Sequence, residues 1–519
     1  MNTNLPVLII GGGIVGLTLS QALQKARIPN IVFERDVSPA HSVGGWGITV
    51  HWALPAFESC LPPHLFHRLR DVQVDPEQGR HDTGRFMFLD LSNAMPRYII
   101  PPSRRLRLHR RLLRALLMDG VPILWNKALL NFTQTSGSVL AHFEDGTTVE
   151  GALLVGADGS SSRIRRLLFA EKDPTAATLH QLPVRFMGVT VRLAPFQAQV
   201  LRDIDPLLFQ GSHPQSGVFL WYSTLSTPQI NGSIGRSTEE YYEGQLNMSW
   251  IARTPHDEIP TPNKERVQKM KFMAQNFEQR LRDAVWDIPD DAEVVEIKIQ
   301  DWPTREWDNR EGLVTLIGDA AHAMTMYRGE AFNHGITDAA NLSERIVEAY
   351  VGGYDAQRLR AAVELYEAEM RERTHDAVLL SRQACLDAHD IYNLKPDSPL
   401  IAGFADLAGL GERNSTGDYC RSCSLSTGST TLLNGDKCRH WGFPTRPCRS
   451  DALGKSQVSR RRWIVPSKMV GYVSIVGVQS VKQNCMNSHP VILVWLSRHI
   501  ADPCGWESRF IGKYRTWTP

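Results

Sequence analysis

Four glycines within six residues, Gly11, Gly12, Gly13 and Gly16, follow directly on the apolar run at residues 6–10. This spacing suits the binding of a pyrophosphate. Gly11 permits the tight turn out of a strand, Gly13 lets a phosphate approach the backbone, and Gly16 allows a helix to pack close to the sheet. The helix that opens there presents unpaired N–H groups and the positive end of its dipole to the phosphates. Glu34, 18 residues beyond Gly16, falls where a carboxylate accepts bonds from both hydroxyls of an adenosine ribose.

Other residues raise narrower possibilities. Tyr222, with Arg192 or Arg185 on a neighbouring strand, has the chemistry to orient and ionise a phenol, although a tyrosine in a sheet more often packs with its hydroxyl satisfied. His322 is a potential base, but its place beside a glycine-rich turn favours a structural role. Cys420 and Cys423 form a Cys-x-x-Cys pair, yet Cys438 and Cys448 are nine residues apart and no histidine pair follows, so a zinc site is not expected.

The elements that must position these groups are readable from periodicity. Residues 6–10, a helical pattern carrying Val15, Leu19, Ala22 and Leu23, and residues 31–34 make a β-α-β unit, the start of a parallel sheet. The spacing predicts a basic amphipathic helix over 104–118, strands at 121–125, 139–143, 153–155 and 313–317, and helices over 338–350 and 355–389. Between 180 and 300 the pattern turns antiparallel, with strands at 184–193, 217–225, 245–252 and 294–300 and a helix over 264–284. Regular patterning fades after about residue 395, and there is no internal repeat.

Composition sets the outer limits. Hydrophobic residues make up 42% of the 519, enough for a sizeable core. A net charge of +2 argues against a polyanionic partner, although residues 420–519 carry +11 and the remainder −9. The basic tail has no nucleic-acid-binding motif, so no nucleic-acid partner is expected. No apolar window reaches the roughly 18 residues a membrane span requires, and no targeting segment is evident. With Cys60 and Cys385 alone in the first 419 residues, no disulfide framework is expected, and the reading is of a cytoplasmic protein. The oligomeric state is left open.

Two later motifs separate FAD from NAD. Gly156-Ala157-Asp158-Gly159, running on to Arg163-Ile164-Arg165, and Gly318-Asp319-Ala320-Ala321-His322 resemble the Asp-Gly and Gly-Asp motifs of class A flavoprotein monooxygenases, in the family's order. The resemblance covers about residues 5–390 and looks nearest to fungal members that decorate secondary metabolites. It implies that Asp319 bonds the ribityl chain of FAD, that Asp158 supports the pyrophosphate region, that Arg110 contacts FAD, and that Gly47 passes the isoalloxazine and ribityl region. Phe332 and Asn333 then belong to the helix start facing the flavin pyrimidine. Where the family usually reads Pro-x-x-Gly-x-Gly-x-Asn, this chain has Met326 for the proline and Ala331 for the second glycine. If Ala331 must adopt a positive φ, that costs about 1 kcal/mol.

The fold expected from the resemblance is α/β: a Rossmann-like FAD-binding domain with an inserted, mainly antiparallel β substrate domain and C-terminal helices. Residues 1–180 and 300–390 build the first, 181–299 the second, and 391–519 form a basic, poorly ordered extension. The resemblance implies that NAD(P)H reduces FAD and that O2 supplies an atom to an apolar, aromatic or polyketide-like molecule, by hydroxylation or epoxidation. No second dinucleotide fingerprint appears, which agrees with transient NAD(P)H binding. The alternatives are a flavin-dependent halogenase or reductase, or an FAD-binding protein without turnover. The halogenase signature Trp-x-Trp-x-Ile-Pro is absent.

Overall fold

The first strand, β1 (Val7–Ile10), is buried on both faces, as its unbroken apolar run requires. It feeds through the glycine turn into α1 (Ile14–Lys25), which returns the chain to β2 (Asn30–Phe33). Leu153–Gly156 and Val314–Leu316 extend the sheet on one side of β1, and the short strand Ile123–Leu124 follows β2 on the other. All four pairings are parallel. This structure is a computed structural model. It describes residues 5–41, 46–100, 102–235 and 240–402, together with the backbone of the strands Val473–Ser480 and Ile492–Arg498.

The second large sheet has seven strands, in the order Val295–Glu296, Val184–Leu193, Tyr242–Ile251, Phe219–Ser226, Leu208–Ser212, Phe86–Asp90, Met95–Ile100. Every pairing is antiparallel except that of Leu208–Ser212 with Phe86–Asp90. Alternation gives the sheet two distinct faces. Val189, Tyr222, Leu246 and Phe209 point to one side, into a core shared with Ala198, Leu201, Val267, Met270, Leu281 and Val285 of three covering helices. Gly188, Asn247, Trp221 and Gln210, one residue out of phase, point to the other.

Two long helices close the molecule behind the parallel sheet. Ala331–Tyr350 buries Ile336, Ala339, Leu342 and Ile346, spaced for one face. Asp355 caps Ala356–Asp387 by accepting from the N–H groups of Gln357 and Arg358. Among the described residues no helix is long and apolar enough to cross a membrane, and no cluster of His, Cys, Asp and Glu is suited to a metal.

The sequence expectations differ from the structure in four places. Residues 104–118 are not one helix: Leu106–His109 is a strand paired with Gly47–Val50, and the helix occupies only Arg110–Leu117. Tertiary pairing has overridden a basic amphipathic pattern that fits both states. The helix expected over 264–284 is two, Asn263–Met273 and Gln279–Trp286. The return strand expected over 294–300 is reduced to Val295–Glu296 and Gln300–Asp301. Phe86–Asp90 and Met95–Ile100, which the expected boundaries put with the nucleotide-binding part, complete the other sheet. In the separate C-terminal unit, residues 422–519, the two described strands pair antiparallel. The cysteines considered for zinc, and the expected disorder of the tail, lie outside the described residues.

Candidate cofactor and substrate site

Three glycine-bearing loops leave the carboxyl ends of three adjacent parallel strands: residues 11–13 after β1, 157–162 after Leu153–Gly156, and 317–319 after Val314–Leu316. In open α/β sheets this edge is where ligands bind. Gly11 has φ +118°, and a Cβ there would lie 2.3 Å from the carbonyl oxygen of Ala157. Gly16 is as constrained, since a Cβ would meet the carbonyl oxygen of Gly11 at 2.2 Å. Gly13 is the opposite case: a Cβ would meet nothing within 4 Å, so its backbone borders open space. No side chain caps the start of α1, and its first N–H groups are left for a ligand.

Glu34 sits at the end of β2 and accepts from the Gly12 N–H through Oε2 at 2.8 Å. Arg114, on the helix Arg110–Leu117, lies 3.4 Å from the same oxygen and donates through Nε to the Gly12 carbonyl at 2.8 Å. Its Nη1 is buried without a partner. The sequence reading picked Arg110 from this helix and missed Arg114, one turn on. Their i, i+4 spacing puts both on the same face, and that spacing was the available signal. Arg110 makes no side-chain hydrogen bond among the described residues. Burial lowers its pKa, Arg114 adds to the lowering, and Asp319 opposes both.

Asp158 caps the helix Arg163–Phe169: Oδ2 accepts from the N–H groups of Arg163 and Ile164 at 2.7 and 3.2 Å. Its Oδ1 is buried and unpartnered. Arg165, also missed as a site residue, ties two loops together. It donates to the carbonyls of Ser160, Asp319 and Ala320, and its guanidinium lies 4.9 Å from the Trp302 ring centre. Asp319 is surrounded by protein, which raises its carboxyl pKa against the pull of His322, Arg110 and Arg165. Yet its side chain is solvent-exposed, because it faces the cleft.

Behind Asp319 lies a buried charged network. Asp338 accepts from the Gly318 N–H at 2.7 Å, His322 Nε2 at 2.6 Å and Arg373 Nη2 at 2.7 Å. Burial alone would raise the Asp338 pKa, but His322 and Arg373 hold it well below the usual carboxylate range. His322 is thereby committed to holding the turn.

The departure at Ala331 carries no strain. Ala331 is the first residue of its helix and has a negative φ, while the positive φ (+64°) falls on Gly329. A buried pair, Arg328 Nε to Glu330 Oε2 at 2.8 Å and Nη2 to Oε1 at 3.0 Å, fixes the turn. No side chain caps the helix start. Asn333 spends its amide on this scaffold: Oδ1 accepts from the His51 N–H at 2.9 Å and Nδ2 donates to the Thr49 carbonyl at 3.1 Å. Asn333 thus locks the helix to the strand carrying Gly47. Phe332 turns towards Phe57, with ring centres 6.0 Å apart. Gly47 lies under Arg107, whose Nη2 would be 2.6 Å from a Cβ there.

The structure does not bring Tyr222 and Arg192 together, which corrects the expectation of a catalytic pair. Tyr222 is buried on the helix-covered face of the seven-stranded sheet, its ring 5.2 Å from that of Phe209. Arg192 is exposed near a strand end on the opposite face, over the Tyr241 ring at 4.6 Å. The cleft-side face instead carries Trp221, which lines a cavity with Thr49, His51, Phe86, Tyr327 and Gly329 among others.

FAD fits this edge. The open approach at Gly13, the uncapped helix starts, the exposed Asp319 and the orphaned atoms of Arg114 and Asp158 are features that a dinucleotide-linked flavin would complete. Comparison with known proteins agrees. Residues 89–380 match the family model described as FAD binding domain. The chain is 52% identical over 350 residues to the FAD-dependent monooxygenase dbaB of Emericella nidulans, covering 67% of this chain and 88% of that one. It is 30% identical over 411 residues to the FAD-dependent monooxygenase phnB of Penicillium herquei, covering 78% and 97%. In fold it is similar to Klebsiella pneumoniae HpxO complexed with FAD and uric acid, with a TM-score of 0.58, 17% identity, and coverage of 79% of this chain and 95% of the other.

Proposed function

The chain belongs to the FAD-dependent monooxygenases of fungal secondary metabolism, and from that premise we propose that it takes electrons from NAD(P)H and oxygenates an aromatic or polyketide-like small molecule in the cytoplasm. The observation that carries this reading is the meeting of three motif loops at one sheet edge, beside a cavity walled by the second sheet. When bound, FAD supplies the redox and oxygen-transfer chemistry.

The chain's own residues supply grip, alignment and dryness. Glu34 would accept from the adenosine ribose, and the start of α1 would receive the pyrophosphate beside Gly11, Gly13 and Gly16. Asp158 steadies the loop beneath it through the helix it caps. Asp319 would accept from the ribityl hydroxyls, with Arg110 close enough to favour its charged form. The uncapped N–H groups of Ala331, Phe332 and Asn333 would face the flavin pyrimidine and would favour negative charge there. Trp221, Phe86 and Tyr327 keep water from the reacting edge.

The test is to purify the full chain, record the flavin spectrum, and follow oxygen-dependent NADPH and NADH oxidation with candidate aromatics. Coupled oxidation yielding a product heavier by one oxygen is the expected result. A halogenated product, a product heavier by two hydrogens, or no oxidation with FAD bound would each overturn the reading.

A further inference from the structure

One buried cation beside the cavity has no counter-charge among the described residues. Arg107 is 4% exposed and donates to Thr49 Oγ1 and Ser223 Oγ, both at 2.9 Å, while its Nε has no partner. Its guanidinium carbon lies 5.9 Å from the Trp221 ring centre. Thr49 and Trp221 both line the cavity, so the charge sits immediately behind the wall. Among the described residues no carboxylate pairs with it. Burial and the nearby Arg105 bring its pKa down to about 9, which leaves it charged at neutral pH.

The other cations lining the cavity are neutralised. Arg105 makes a two-pronged pair with Asp82 at 2.7 and 3.1 Å, and Arg328 is paired with Glu330. The titratable wall residues do not compensate Arg107 either. Burial lowers the His51 pKa to about 3, and it raises that of Tyr327 well above the ordinary range, so both are neutral. Asp205, whose pKa is raised by burial, faces Arg105 and accepts from the Leu207 and Leu208 N–H groups.

The same sheet face has further unmet polar groups. In the row Gln210–Trp221–Asn247–Gly188, both amide atoms of Gln210 and Oδ1 of Asn247 are buried without partners. Buried polar groups are almost always bonded, and a buried unpaired charge is costly. All three side chains adjoin Trp221, the residue through which this unmet polarity reaches the cavity wall.

We propose that Arg107 sets the specificity of this cavity, selecting a phenol or enol bound as its oxyanion. The inference deepens the monooxygenase reading and rests on it for the view that the cavity holds substrate. Arg107 acts as a positioning residue, by its charge and through Thr49 and Trp221.

The test uses FAD-loaded protein, with 4-nitrophenol and its neutral methyl ether, 4-nitroanisole, as probes in mildly alkaline buffer where free 4-nitrophenol is ionised. The wild type is expected to bind the phenolate at least about tenfold more tightly than the ether, a difference of about 1.4 kcal/mol. Arg107→Met should abolish that ratio and Arg107→Lys should largely keep it, with bound FAD unchanged in both. A wild-type ratio near one, no binding of either probe, or an Arg107→Met protein that keeps the wild-type ratio would each overturn the proposal. The wild-type ratio decides the matter even if a variant does not fold. Oxygen-dependent NAD(P)H oxidation is read separately, so the two readings fail independently.

Discussion

Arg114 and Glu34 clamp the first nucleotide-binding turn between them. Glu34 holds the N–H of Gly12 and Arg114 holds its carbonyl, while the two charges lie 3.4 Å apart. The two peptide units that flank Gly12 are thus fixed by a buried ion pair at the spot where an adenosine ribose would dock.

Removing Arg114 should therefore weaken the cofactor more than the fold. For Arg114→Met, losing a charged hydrogen bond of about 1.5–3 kcal/mol predicts a fall in FAD affinity of roughly tenfold to a hundredfold. Flavin fluorescence quenching on titration measures it. An unchanged dissociation constant would remove Arg114 from the site.

The glycines separate packing from ligand approach. Gly11→Ala puts a side chain against the Ala157 carbonyl at a positive φ. The φ alone costs about 1–2 kcal/mol, so the melting temperature should fall by several degrees and FAD retention should be lost. Gly13→Ala meets open space. Its apoprotein should melt within a degree or two of wild type while FAD affinity drops. Paired thermal melts and flavin titrations distinguish the two, and equal destabilisation of both apoproteins would contradict this geometry.

Acid should undo the Asp338 network. The folded pKa of Asp338 is depressed, so its stabilisation is fully present above the unfolded value near 3.9 and is lost as pH falls below that towards the folded value. Asp338→Asn removes the buried counter-charge of Arg373, at a cost of about 3–5 kcal/mol near neutral pH. The gap between wild type and variant, followed by chemical denaturation, should narrow as pH drops below about 4. A gap independent of pH would show that Asp338 is not charged in the folded protein.

Tyr222→Phe should leave kcat and KM within about twofold, since the hydroxyl is on the covered side of the sheet. A large loss of kcat in steady-state assays, with the melting temperature held, would place this residue back in the chemistry.

The contrast between Tyr222 and Glu34 shows what a sequence discloses here. The place of Glu34 beside the glycine turn was legible because it is set within one β-α-β unit, where a short turn and a strand end leave few geometries. Tyr222 depended on which side of a seven-stranded sheet is covered, and that is decided by helices encoded elsewhere in the chain, Asn263–Met273 and Gln279–Trp286 among them. Arg107 was invisible for a related reason. The run at 104–118 has the charge pattern of a surface helix, and only the pairing of Leu106–His109 with Gly47–Val50 turns one of its arginines inward. Ala331 posed the reverse problem: the missing glycine suggested strain, but the left-handed residue is Gly329, two positions earlier.

The two strands Phe86–Asp90 and Met95–Ile100 bear on how such enzymes can be re-engineered. They are encoded far upstream of the five strands they join. A transplant of residues 181–299 from a relative would arrive with its wall unfinished, and the host's upstream strands would have to fit a stranger's edge. Recombination between these enzymes should yield working chimaeras when both stretches come from the same parent, and mostly insoluble ones when they do not.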